Sequence, residues 1–106
     1  MALFGLFSKP AFDEGAEEFR KTPGARLIDV RSAEEYAGGH LAESENVPLD
    51  QIAEVAALAA DKSTPLFVYC YSGARSAQAV SLLKRMGYTN VKNIGGIKDY
   101  HGGIVR

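Results

Sequence analysis

Cysteine is nearly missing from this sequence: Cys70 stands alone among 106 residues, so no internal disulfide can form and the fold must rest on its own core. Histidine is almost as scarce. His40 and His101 are the only two, and together with Cys70 they supply no recognised zinc-ligand spacing, so no metal site is expected. An excess of one charge is also absent. The 12 Lys and Arg face 13 Asp and Glu, and no run of like charge exceeds two residues, which removes the electrostatic footprint of a nucleic-acid binder. Long apolar runs are missing as well, because the longest charge-free stretch, Ser63 to Ala74, has 12 residues where a membrane-spanning helix needs roughly 20. The amino end, MALFGLFSKP, has no basic start, is interrupted by Gly5 and lacks a small-residue cleavage pattern. It therefore reads poorly as a signal peptide, and a cytoplasmic, reducing location is the expectation.

What remains is an ordinary globular composition, 46% apolar and 24% charged, at a length suited to one domain over residues 1–106. Within it, residues 1–9 are read as an apolar extension or an edge strand. Leu3, Phe4, Leu6 and Phe7 exceed what one short edge strand must bury, so a dimer contact or a membrane-surface anchor stays open beside the edge-strand reading.

Period along the chain sets the fold class. Phe12 to Lys21 reads as a helix with Phe12, Ala16 and Phe19 on one face, Asp13 as its cap, and Pro23 and Gly24 as its stop. Ala25 to Val30 reads as a buried strand. Ser32 and Glu35 stand in the relation of a capping box, which starts a short helix that Gly38 and Gly39 end. Asn46 to Leu49 predicts a brief strand, and Asp50 a cap for a helix through Ala60 with Ile52, Val55, Ala56 and Ala59 on one face. Leu66 to Tyr69 is a continuous apolar run of the kind found in central strands covered on both faces. Arg75 to Met86 is helical by the spacing of Ala79, Leu82, Leu83 and Met86, and Val91 to Ile94 adds a last strand. Strands alternating with helices predict an α/β fold of three layers, a mostly parallel central sheet with helices on both faces.

Parallel sheets carry their sites at the carboxyl ends of strands, and Cys70 sits at such an end. The residues after it, Tyr71, Ser72, Gly73, Ala74, Arg75 and Ser76, form a short loop entering a helix. A loop of this kind turns backbone N–H groups inward as an anion nest, with the helix amino end adding partial positive charge. Those donors and Arg75 would lower the thiol from its usual value of about 8.5, giving a solvent-reachable nucleophile without a histidine partner. The competing reading makes Cys70 a small core residue ending a strand. Asp29, at a neighbouring strand end, is read as supporting the loop, by accepting N–H bonds or pairing with Arg75, or else as a turn cap. Arg31 supplies positive potential near the cleft or pairs with Glu34 or Glu35. His40 reads as a structural histidine rather than a proton shuttle. Ser72 and Ser76 are placed to bond the sulfur or the loop backbone, Ser76 more as a helix cap, and Tyr71 to line the pocket mouth.

The segment CYSGARS, Cys70 to Ser76, resembles the active-site signature of the rhodanese-like domains. Further matches follow in family order: Leu27-Ile28-Asp29-Val30-Arg31, Glu34-Glu35-Tyr36, Gly39-His40-Leu41, Asn46-Val47-Pro48 and Gly95-Gly96. The resemblance covers about residues 10 to 103. It implies a sulfurtransferase without a cofactor, in which Cys70 takes a sulfane sulfur from a small-molecule donor such as thiosulfate or a persulfide. The sulfur is held as a persulfide and passed to cyanide or to a thiol, either a small thiol or a thioredoxin-like protein. Two other readings use the same fold: a non-enzymatic docking or redox-sensing module, and a cysteine-dependent phosphatase. The chain departs from the family at Glu43-Ser44, where a Gly-Ala pair is usual, and at Tyr100, where tryptophan is common. Tyr71 and Ser72 also stand where thiosulfate-using members often carry a basic residue, which leaves Arg75 as the only loop cation.

Overall fold

The computed structural model describes residues 10–106. The chain runs α1 (Ala11–Lys21), β1 (Arg26–Asp29), α2 (Ala33–Ala37), β2 (Ser44–Asn46), a 3-10 segment (Leu49–Glu54) leading into α3 (Val55–Leu58), β3 (Leu66–Cys70), α4 (Ala74–Arg85), β4 (Val91–Gly96) and a closing 3-10 turn (Ile97–Asp99). The four strands form one sheet in the order β2-β1-β3-β4, and every pairing is parallel. None of the described helices is long and apolar enough to cross a membrane. The edge strand read into residues 1–9 lies outside the described residues.

Strand β3 explains how the three layers hold together. All five of its residues are buried, and its side chains alternate: Leu66, Val68 and Cys70 join the core beneath α3 and α4, while Phe67 and Tyr69 join the core beneath α1. A strand covered on both faces has no polar side to offer, which is why its sequence is an unbroken apolar run. Helix α1 lies so close to β4 that a side chain on Gly15 would meet the Ile94 Cβ at 2.5 Å.

Three local expectations are corrected. Helix α1 starts after Pro10 with no side-chain cap, and Asp13, in its first turn, accepts a hydrogen bond from the His101 N–H instead. The brief strand lies earlier, at Ser44–Asn46. The Val47 and Leu49 N–H groups still donate to Asp29 and Val30 carbonyls, but Pro48 between them has no N–H and the ladder ends. Asp50 caps nothing, because the following segment winds as a 3-10 helix from Leu49 and is broken at Gln51 (φ −118°, ψ 20°) before α3 begins at Val55. Ile52, Val55 and Ala59 are buried as expected, whereas Ala56 faces solvent. The capping box on α2 is present in both directions, Ser32 Oγ accepting from the Glu35 N–H and Glu35 Oε1 accepting from the Ser32 N–H, each at 3.1 Å.

Candidate active site

Strand β3 delivers Cys70 to its carboxyl end, and the chain then turns within three residues into α4. Gly73 makes that turn possible: its φ of +101° belongs to the left-handed region that glycine adopts without strain. The turn folds N–H groups back over the sulfur. Gly73 N lies 3.0 Å from Cys70 Sγ, and the Ser72 and Ser76 N–H groups add to it in favouring the charged form of the sulfur. Ser76 Oγ lies 3.4 Å from the sulfur, 3.1 Å from the Gly73 carbonyl and 2.8 Å from Asn93 Oδ1, three acceptors for one proton. Burial pushes the thiol up. The Ser76 hydroxyl and the three backbone donors outweigh it, and the net result is a thiol below its ordinary value. Anionic sulfur is therefore the form this loop stabilises.

Solvent access differs from expectation, since Cys70 is only 1% exposed. Ser76, also buried, stands beside the sulfur, and the loop that supplies the donors is the same loop that covers it. Tyr71 stands out at 52% exposed and lines a cleft of about 490 Å³ with Arg31, Glu35, Ile97, Tyr100 and Ile104. Ser72 and Ala74 are exposed, Ala74 as the first residue of α4.

The ion pairs are exchanged relative to the sequence expectation. Asp29 does not reach Arg75. Its carboxylate forks onto Arg31, with Oδ2 accepting from Nη2 at 2.7 Å and Oδ1 from the Arg31 N–H at 2.9 Å. Arg31 Nη2 also donates to the Gly39 carbonyl, so the pair ties two loops together beneath the site, with Asp29 fully buried and Arg31 5% exposed. Arg75 is held by Glu35, Nη1 to Oε1 at 2.7 Å and Nη2 to Oε2 at 2.9 Å. That bidentate guanidinium, followed by the capping-box bonds from Ser32, outweighs burial and sets the Glu35 carboxyl at about 2. The sequence places Glu35 in the capping box and within reach of Arg31, not of Arg75. Nothing in a 40-residue separation could announce its second partner.

Asn93 is the residue that sequence reasoning missed. Its Oδ1 accepts from the Gly95 N–H at 2.9 Å and its Nδ2 donates to the Gly73 carbonyl at 3.2 Å, so β4 grips the turn that carries the donors. The N-x-G spacing of Asn93 and Gly95 is an Asx-turn signal that was open to reading. A register shift between Val68 and Tyr69 then sets Gly96 opposite Cys70. His40 is structural: its Nδ1 donates to the Tyr36 carbonyl at 2.7 Å and its ring stacks on Tyr36 at 3.6 Å. Among the described residues, no group of three or more His, Cys, Asp or Glu gathers to hold a metal ion.

The close approach at Gly96 gives a direct test of the cradle. A side chain there would place Cβ 2.2 Å from the Tyr71 carbonyl oxygen and 2.5 Å from Ser72 Cα, both backbone atoms that cannot step aside singly. Gly96→Ala should push the loop off the sulfur while the sheet survives. The expected result is an alkylation profile for Cys70 whose pH midpoint moves up, with an unchanged far-ultraviolet circular dichroism spectrum. A midpoint identical to that of the parent would mean that the loop donors do not set the thiol.

A family model described as the Rhodanese-like domain matches residues 13–102. Thiosulfate sulfurtransferase PspE of Escherichia coli (strain K12) is 40% identical over 100 residues, spanning 93% of this chain and 86% of that protein. Thiosulfate sulfurtransferase GlpE of Pseudomonas aeruginosa (strain LESB58) is 32% identical over 83 residues, spanning 78% of this chain and 74% of that one. A solved structure described as rhodanese with anions from E. coli matches with a TM-score of 0.73 at 38% identity, over 77% of this chain and 98% of the other. SSP1007 from Staphylococcus saprophyticus matches with a TM-score of 0.76 at 25% identity, over 90% and 95% of the two chains.

Proposed function

The chain belongs to the rhodanese-like domain family, and from that premise we propose that it is a sulfurtransferase carrying sulfur as a persulfide on Cys70. The observation that carries the reading is the ring of donors around one sulfur: the Ser72, Gly73 and Ser76 N–H groups with the Ser76 hydroxyl. Such a ring stabilises a thiolate before the reaction and a persulfide anion after it.

The chemistry balances in two steps. With thiosulfate, the Cys70 thiolate attacks the outer sulfur, a bond from Sγ to that sulfur forms, the original sulfur–sulfur bond breaks, and its electron pair leaves on sulfite. With an alkyl persulfide, the same attack on the terminal sulfur releases the alkyl thiolate. In the second step a nucleophile attacks the outer sulfur of the Cys70 persulfide, and the pair returns to Sγ. Cyanide gives thiocyanate and an external thiol gives a new persulfide. The acceptor must come from outside because the chain holds no second cysteine. A small thiol or a thioredoxin-like protein fills that role, and a reducing, cytoplasmic setting keeps Cys70 competent. Asp29 and Arg31 support the strand ends beneath the loop, and the chain acts as one rhodanese-like domain.

Loop length supports sulfur over phosphate chemistry. Four residues, Tyr71 to Ala74, separate Cys70 from Arg75, whereas the family-related phosphatases carry five between cysteine and arginine. A shorter ring suits one sulfur atom better than a tetrahedral phosphate. The loop also holds no carboxylate to protonate a leaving alcohol.

Intact-mass analysis after incubation with thiosulfate or an alkyl persulfide tests the proposal. The expected result is one added sulfur per chain that cyanide removes, and the single cysteine assigns it to Cys70. No added sulfur from any donor, together with turnover of an aryl phosphate, would overturn it.

A further inference from the structure

Charge around the loop is balanced pair by pair. Arg31 faces Asp29 at 2.7 Å, Arg75 faces Glu35 at 2.7 Å, and Lys98, at the edge of the Tyr71 cleft, faces Asp99 at 3.1 Å. Asp50 lines a second hollow of about 300 Å³ on the Arg75 side. Three cations thus meet four carboxylates. Among the described residues, each cation that lines these two hollows has a carboxylate partner, so the anion taken by the site is held mainly by N–H dipoles.

Of these pairs, Glu35–Arg75 is the one built onto the loop. Glu35 lines the cleft of about 490 Å³, Arg75 lines the smaller hollow, and their bidentate contact forms the wall between the two. Arg75 is the second residue of α4 and directly precedes Ser76, whose hydroxyl lies 3.4 Å from the sulfur. Glu35 is also pinned from behind, since its Oε1 accepts from both the N–H and the hydroxyl of Ser32.

Resting on the sulfurtransferase reading, we infer that Glu35 is a specificity-determining residue which neutralises Arg75 and so turns the site toward singly charged sulfur donors and away from doubly charged ones. A second negative charge on the donor meets the Glu35 carboxylate, and the Arg75 charge that would offset it is already engaged. A singly charged donor escapes that penalty while offering the same sulfane sulfur. Thiosulfate and the methanethiosulfonate anion form a matched pair of probes. Both present a terminal sulfur bound to an oxidised sulfur, and the thiolate displaces sulfite from the first and methanesulfinate from the second. One unit of donor charge separates them.

The experiment compares kcat/KM for the two donors, with cyanide as acceptor, in the parent protein, Glu35→Gln and Glu35→Asp. Glutamine serves at the same capping-box position, so the helix start is kept while the charge is removed. Expected for Glu35→Gln is a rise of roughly threefold to tenfold in the thiosulfate-to-methanethiosulfonate ratio, shrinking in 0.5 M salt as screening takes hold. Glu35→Asp keeps the charge and should keep the parent ratio even where its shorter reach lowers both rates. A ratio that stays at the parent value in Glu35→Gln, or both rates falling by the same factor, would make Glu35 a brace for the loop and overturn the inference. A parent protein that takes sulfur from no donor would instead remove the reading beneath it.

Discussion

Cys70→Ser is expected to abolish sulfur transfer, by roughly a thousandfold or more, while leaving the fold intact. A serine hydroxyl stays protonated where this cradle shifts a thiol toward its anion, and oxygen does not accept a sulfane sulfur to form a persulfide. The replacement is close to isosteric, and the Gly73 N–H that lies 3.0 Å from Sγ finds a hydroxyl oxygen in its place, so no buried donor is orphaned. Three measurements check this: thiocyanate formation from thiosulfate and cyanide, the intact mass after donor treatment, and a thermal melt. Sulfur transfer persisting above a few per cent of the parent rate would mean that the thiol is not the carrier. Lost activity with a collapsed melt would assign Cys70 to the core.

The second large effect lies beneath the site. Asp29→Ala removes a fully buried carboxylate and leaves the Arg31 guanidinium, 5% exposed, with the Gly39 carbonyl as its remaining hydrogen-bond acceptor and the Tyr69 ring beside it. Breaking one side of a buried pair costs about 3–5 kcal/mol, because an uncompensated charge stays out of water. Against a total stability of roughly 5–15 kcal/mol for a small domain, that is a large share. The melting temperature should fall by about 10–30 °C. Asp29→Ala combined with Arg31→Leu should recover part of the loss by removing the stranded charge. A single variant melting within about 4 °C of the parent would show that Arg31 finds water or another acceptor.

Much of the fold was legible in the residues because its causes are local. The capping box at Ser32 and Glu35, the apolar run of β3 and the helical spacing after Arg75 each follow from interactions spanning a few residues. The misses share a cause. The start of α1, the position of β2 and the winding from Leu49 to Leu58 turned on prolines and on bonds to distant strands, which override a side chain's preference for a cap.

The site divides along the same line. By itself the sequence determined that one thiol exists, that it ends a strand, and that a glycine-containing turn and a helix start follow it, because strand, turn and helix are contiguous in the chain. Only the tertiary structure decided which charges meet. Arg75 took Glu35 from 40 positions away, Asp29 took Arg31, and Asn93 crossed from β4 to hold Gly73 and Ser76. Contact across the sheet is fixed by strand order and by the register shift beside Cys70, and neither leaves a mark on the residues that it brings together.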